Sequence, residues 1–402
     1  MEIKNPIRRF NLNFWQTFAE WSGALAVCAA LFSYRIHTLV PAFSQAEKSA
    51  IGAASSLKTI ASDPSYLPHK FLQYLGLKLD HTGYIAMRLP SVIAGLVAAA
   101  LFFYILNKWF NLRIAVITTF LLVTSSWFLH IARVGVPEVM YLGILAPLAY
   151  GTWLQKHKRP LVALGLGALI IINTLYTPGL IWFTVIGAFW QRKAIAQLYK
   201  EAKMGAIFTM LGCIVLLVPL AISFVHQPHL IETYLGLPKD IVDNVKQIPQ
   251  NLLKIPVWLA WRGPLRPETN LATVPLLDFF TLIMAVLGAY SYSTYFSLQR
   301  SRLLLGSLIL CCVLVSFGGL VTIAVLLPFV YLLVASGLNF MIEQWFKVFP
   351  YNPFARGTAT ILLIAAISSV TFYHLSNYFI AWPQSPATKA VYRFAPQPPN
   401  NK

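Results

Sequence analysis

Acidic side chains are scarce in this sequence. Thirteen Asp and Glu stand against 31 Lys and Arg in 402 residues, and charged residues of both signs make up only 11% of the chain. A soluble globular domain carries about a quarter charged residues, so that class is excluded. Cysteine is scarce too: Cys28, Cys213, Cys311 and Cys312 all lie in apolar runs without metal-ligand or redox spacing, and read as packing residues. No glycine-rich phosphate loop follows a strand pattern, which leaves a nucleotide-sugar or ATP site without a motif. The absence of a convincing internal repeat disfavours an inverted-repeat transporter. The apolar runs do not alternate with polar residues, which excludes a membrane β-barrel.

Apolar sequence is what the chain has in quantity: 57% of residues are hydrophobic and the mean hydropathy is +0.65, the profile of an all-α polytopic membrane protein. A bilayer span takes about 20 mostly apolar residues. Eleven runs are candidates, at 18–39, 89–107, 113–130, 137–154, 160–173, 180–190, 204–225, 274–296, 303–317, 320–340 and 358–382. The first has a polar, basic leader and no small-residue cleavage site, so a retained signal anchor is expected.

Charge sets the expected orientation. Lys4, Arg8, Arg9, Lys108, Arg113, Lys156, Lys158, Arg159, Arg192 and Lys193 fall on one side, whereas the opposite short loops 130–137, 174–179 and 317–320 hold only Arg133. The positive-inside rule then makes the amino terminus cytoplasmic, and places the carboxyl terminus and the long loops 39–88 and 226–273 outside. Among the acids only Glu2, Glu201 and Glu343 lie on the cytoplasmic side, so chemistry is expected externally. The net charge of +18 points to anionic membrane lipid and not to nucleic acid, since no basic run sits on a soluble domain that could present it. Residues 1–340 form the expected transmembrane domain with both long loops, 341–382 a cytoplasmic loop and the last span, and 383–402 a disordered external tail.

Loop 39–88 gathers Glu47, Asp63, His69, Lys70, Asp80, His81 and Arg88 between two apolar runs, and ionisable groups so placed are where function is sought in a membrane protein. Ala46, Ala50, Ala53, Ala54 and Leu57 recur near helical period, as do Phe71, Leu72, Leu75 and Leu79, so two interfacial helices broken by Pro64 and Pro68 are expected. In the second long loop, Trp258, Trp261, Arg262 and Arg266 surround Gly263-Pro264, a composition suited either to stacking on a sugar or to an interfacial aromatic belt.

An ordered set of motifs carries a resemblance. An acidic residue soon after the first run is followed by His69-Lys70-Phe71-Leu72-Gln73-Tyr74-Leu75 and Met87-Arg88-Leu89-Pro90-Ser91. Ser125-Ser126-Trp127-Phe128, Ala132-Arg133-Val134-Gly135-Val136-Pro137-Glu138, Leu175-Tyr176-Thr177-Pro178 and Pro275-Leu276-Leu277-Asp278 then complete the order. Over about three quarters of its length the chain resembles the GT-C class of polyprenyl-phosphate-sugar glycosyltransferases. Within it the likeness is closest to the branch of protein O-mannosyltransferases and lipid A aminoarabinose transferases.

The resemblance implies a GT-C-like fold in a prokaryotic plasma membrane and transfer of a sugar, with inversion, from a polyprenyl-phosphate donor to a protein, lipid or glycan acceptor on the external face. Glu47 is the candidate base; the family has Asp-Glu where this chain has Ala46-Glu47. Glu138 stands where a second acid is common, and either contacts substrate or pairs with Arg133. Arg88, Arg133 and Lys70 are candidates for the donor phosphate, and His69, Tyr176, Trp261 and Arg262 for the rest of the substrate. Asp278 reads as a helix cap. No cofactor is implied and no metal-ligand cluster is evident, with dependence on a divalent cation left open. The other reading is a non-catalytic lipid-binding or scaffold member of the class, or a transporter. The two differ in whether Glu47 faces a cavity shared with Arg88 and Arg133.

Overall fold

In lipid every backbone N–H and C=O must find its partner inside the protein, which favours helices, and the computed structural model has no strand among the residues it describes, 23–40, 42–79, 84–154, 159–238 and 245–392. The expected roles of Lys4, Arg8, Arg9, Asp80, His81, Lys156 and Lys158 lie outside those residues. Each of the eleven apolar runs holds helix, but the count of eleven spans does not follow. Ile85–Trp109, Lys203–His226, Gln299–Ser316, Ile323–Val348 and Pro353–Gln384 are long and apolar enough to cross a membrane. Leu112–Thr124 and Ser126–Arg133 make a sixth among the described residues if taken together, bent by 65°. Ser125 causes the bend: it ends one helix in an extended conformation and caps the next by accepting from the Phe128 N–H. The runs represented by Gly23–Ser33, Pro160–Leu175, Ile181–Trp190 and Phe279–Thr294 are shorter, and 137–154 divides into a 3₁₀ segment, Pro137–Ile144, and the helix Leu145–Leu154.

The site-bearing elements are α1 (Gly23–Ser33), α2 (Gln45–Ala53), α3 (Leu57–Ser62), α4 (Leu67–Leu79), α5 (Tyr84–Trp109), α6 (Leu112–Thr124) and α7 (Ser126–Arg133). Loop 39–88 holds three helices where two are expected: the first stretch divides into α2 and α3, because Ser56 caps a new helix, and Pro68 falls in the first turn of α4 instead of before it. Helix α4 is built inside out. Its apolar residues Phe71, Leu72, Leu75 and Leu79 are exposed, whereas His69, Lys70 and Gln73 are buried against the protein. That polarity suits a helix whose surroundings are hydrocarbon and whose inner face meets polar groups.

Helix Leu327–Val348 is the hub, with twelve successive residues from Leu327 to Leu338 buried. It meets Phe279–Thr294 so closely that a Cβ on Gly288 would overlap the Leu333 carbonyl, and one on Gly337 the Met284 carbonyl. Small residues at such crossings let backbones touch where hydrophobic burial offers no force between helices. Gly288→Val should therefore destabilise the detergent-solubilised protein by about 1–3 kcal/mol or more, because a backbone has to move. Gly306→Ala, where a Cβ meets nothing within 4 Å, should hold or raise stability. Equal melting temperatures for the two variants would contradict this crossing.

The carboxyl-terminal segment corrects the expectation of a tail that is disordered from 383. A π-helical turn, Asn377–Ala381, leads into Trp382–Gln384 and Pro386–Val391; Trp382 and Tyr392 are buried. Residues 393–402 lie outside the described part.

Candidate functional site

Ser44-Gln45-Ala46-Glu47 opens α2 as a capping box. Ser44 Oγ accepts from the Glu47 N–H at 3.2 Å and Glu47 Oε2 accepts from the Ser44 N–H at 3.1 Å. The same carboxylate receives Arg88 from the first turns of α5, with Nε donating to Oε1 at 2.9 Å and Nη2 to Oε2 at 3.2 Å. The Gly135 N–H adds a bond to Oε1 at 3.0 Å. Both side chains are buried, Glu47 at 0% and Arg88 at 3% exposure. Four donors fill the roughly four acceptor positions of one carboxylate. Arg88 also donates to the carbonyls of Ile36 at 2.6 Å and Ala42 at 3.2 Å. Gln73 Nε2 holds the carbonyls of Met87 and Gly135 from below, at 3.1 and 2.9 Å. This cluster fastens loop 39–44, α4, α5 and the Gly135 turn into one body.

Arg133, at the end of α7, is placed differently. It is 3% exposed; Nη2 donates to the Tyr34 carbonyl, and Nε and Nη1 have no partner among the described residues. Its guanidinium lies 5.0 Å from the Tyr378 ring centre and 4.9 Å from that of Phe379. A buried cation with spare donors costs several kcal/mol unless an anion reaches it. Arg88, Arg133, Tyr378, Trp382 and Tyr392 enclose a void of about 10 Å³, so the aromatic segment lies over the guanidinium as a cover. Arg88 and Arg133 thus share a space, and Glu47 is turned away from it into its own bonds.

Past the Gly135 turn lies a cavity of about 310 Å³. Trp127 from α7 and Trp258 from helix Ile248–Ala260 contribute aromatic surface, and Glu138, Asn251, Arg266 and Thr322 contribute polar groups. Arg266 Nη1 stands 3.4 Å from Glu138 Oε1, a loose pair, and Thr322 Oγ1 has no partner among the described residues. Trp382 donates to the Pro267 carbonyl at 2.8 Å, so the loop that carries Arg266 also holds the cover over Arg133.

Other expected site residues are placed elsewhere. Lys70 binds Asp63, with Nζ 2.9 Å from Oδ2 and 2.7 Å from the carbonyl, and so closes the loop between α3 and α4 instead of joining the arginines. Burial opposes the Asp63 carboxylate, but Lys70 and the Ser65 hydrogen bonds outweigh it and hold the group below the usual carboxylate range. Tyr176 is buried with its hydroxyl on the Leu216 carbonyl at 2.6 Å and its own carbonyl on the Tyr66 N–H, a packing role. Trp261 is 82% exposed and Arg262 is exposed; both follow the end of their helix and miss the cavity that Trp258 and Arg266 line. Asp278 is the expected cap, accepting from the Phe280 and Thr281 N–H groups, and it also meets His374 at 3.0 Å. His374 in turn bonds Ser126 at 3.1 Å, a link that ties the bend before α7 to the last long helix.

His69 lies inside α4 with Nε2 3.0 Å from Ser91 Oγ. Burial pushes its pKa down to about 4 from an ordinary value near 6.5, so it is neutral in the fold. Between those two values the unfolded chain holds a proton that the folded chain does not, and stability therefore falls as pH drops from about 6.5 towards 4. The melting temperature should decline over that window, and less steeply in His69→Gln. An identical slope in both proteins would remove His69 from the account.

These features define an all-helical membrane protein. Two crystal structures of ArnT from Cupriavidus metallidurans are similar to it in fold: the apo form with a TM-score of 0.52 over 94% of this chain, and the form bound to undecaprenyl phosphate with 0.53 over 93%. Identity is 11% in both, and the match covers 78% of the ArnT chain, so the likeness is one of fold. No protein-family profile and no curated protein matches the chain.

Proposed function

We propose that this protein is a glycosyltransferase that binds a polyprenyl-phosphate-linked sugar and transfers the sugar, with inversion, to a hydroxyl acceptor on the outer face of the membrane. The observation that carries this reading is Arg133, a buried guanidinium with two unspent donors on a fold shared with a protein that binds undecaprenyl phosphate. A departing phosphate needs fixed positive charge in a water-poor site. Arg133 meets that need, and the charge of Arg88 beside it is already balanced by Glu47.

The proton is assigned to Glu138. A base needs an open lone pair within reach of the acceptor; Glu138 lines a cavity, whereas Glu47 has its oxygens filled. In this scheme Glu47 positions Arg88 and the Gly135 turn, and Trp127 and Trp258 face the sugar or the acceptor. The phosphate reaches Arg133 once the segment 378–382 moves aside, since the space now present is smaller than a phosphate. Lipid phosphate binding without transfer is the second reading, favoured by Ala46 in the family's acidic pair and by the saturated Glu47.

Binding of undecaprenyl phosphate to protein in lipid nanodiscs tests the phosphate site. Arg133→Lys keeps the charge and loses the fork, and should weaken binding by about 1–3 kcal/mol, roughly 5- to 150-fold. Equal affinity for both proteins would make Arg133 a structural residue.

A further inference from the structure

A cavity of about 340 Å³ opens at the other end of the bundle. Arg88 and Lys108 both belong to α5 and are twenty residues apart, so about 30 Å of helix separates this end from the candidate site. Lys108, Gln191, Gln299 and Arg300 stand at the mouth, where α5, helix Ile181–Trp190 and helix Gln299–Ser316 begin or end. Deeper in, the wall turns apolar with Ile144, Leu148, Phe183, Ile186 and Phe329.

Two features of the mouth point to an anion. Neither Lys108 nor Arg300 is in an ion pair among the described residues. Arg300 is also pre-oriented: Nη1 donates to the Trp109 carbonyl at 2.8 Å, and its guanidinium lies 5.5 Å from the Trp109 ring centre and 5.2 Å from that of Phe110. Those contacts fix the fork while using one donor of five. Gln191 and Gln299 add neutral amides beside the two cations. A soluble anion would match the mouth but would leave the apolar depth unfilled. A phosphate bearing a hydrocarbon chain matches both parts. The short loops at this end carry Lys and Arg, which places it in the leaflet expected to face the cytoplasm, where anionic lipids are attracted to such clusters.

We propose that this cavity binds an anionic phospholipid, with the headgroup phosphate between Lys108 and Arg300 and one acyl chain against Phe183 and Phe329. The site is separate from the one assigned above and stands or falls independently of the transferase reading.

The test uses the full-length protein, stripped of lipid, in detergent with phosphatidylglycerol, and native mass spectrometry to count tightly held lipids. Wild type should retain one phosphatidylglycerol. Lys108→Gln, at an exposed position, should weaken retention by about 5-fold, the scale of one cation at a lipid surface. Gly187→Trp should abolish retention: Gly187 lines the cavity, and a Cβ there meets nothing within 4 Å, so the substitution adds bulk at the cavity wall without a backbone clash at its Cβ. Glycerol phosphate, which offers a headgroup without chains, should not displace the lipid at equal concentration. Equal retention by all three proteins would overturn the proposal, as would displacement by glycerol phosphate, which would make this a site for a soluble phosphate.

Discussion

Glu138→Gln should lower sugar transfer by about 10²- to 10⁴-fold, the usual cost of removing a general base, and leave lipid phosphate binding close to wild type. The amide keeps the size of the side chain and its place in the cavity but cannot take a proton. Its partner Arg266 is largely exposed and 3.4 Å away, so the loose ion pair contributes little to stability and the variant should fold normally. Release of polyprenyl phosphate from a labelled donor, followed in both proteins, is the check. Transfer at the wild-type rate by the variant would return the role of base to another acid. Absence of turnover in wild type across a panel of donors would favour lipid binding without chemistry.

Glu47→Gln should instead act on the fold. Removing one member of a buried, fully bonded ion pair leaves Arg88 charged and uncompensated, a loss of about 3–5 kcal/mol. Removing both charges, in Glu47→Gln with Arg88→Met, should recover much of that loss, because a buried pair returns little beyond its own desolvation. Thermal unfolding of the two single variants and the double variant gives the coupling directly. If Glu47→Gln melts with wild type and abolishes transfer, Glu47 is the base and the assignment to Glu138 falls.

Much of the fold was legible because lipid imposes a simple rule on composition. Each long apolar run holds helix among the described residues, and the spacing of Ala and Leu marks the helical stretches in loop 39–88 but not the break that divides the first of them into α2 and α3. Span number was less legible: whether a short run such as Ile181–Trp190 crosses the membrane depends on its neighbours and not on its own length. The apolar stripe of α4 is legible as a stripe, but not which way it faces: Phe71, Leu72, Leu75 and Leu79 point out of the protein, and His69, Lys70 and Gln73 point in.

The pairing of the candidate residues was not legible in the sequence. Arg88 and Glu47 are 41 residues apart, and Arg266 and Glu138 are 128 apart; such partners are set by tertiary structure. One signal in the sequence did bear on Glu47. Ser44 three residues before it is the capping-box pattern, which commits part of the carboxylate to the backbone. Between Trp258 and Trp261, composition offers no choice, whereas the helix end at Ala260 decides it by fixing the first and releasing the second to solvent. By sequence Tyr378, Trp382 and Tyr392 belong to the end of a span and a tail, and nothing local shows that they fold over Arg133.

The most direct test of the central claim is a structure of the protein with undecaprenyl phosphate bound. The account predicts phosphate oxygens within hydrogen-bond distance of Arg133 Nε and Nη1, with residues 378–382 displaced from the position they hold over it. Phosphate bound at Arg266 in the Glu138 cavity, with Arg133 still covered by Tyr378 and Trp382, would contradict it.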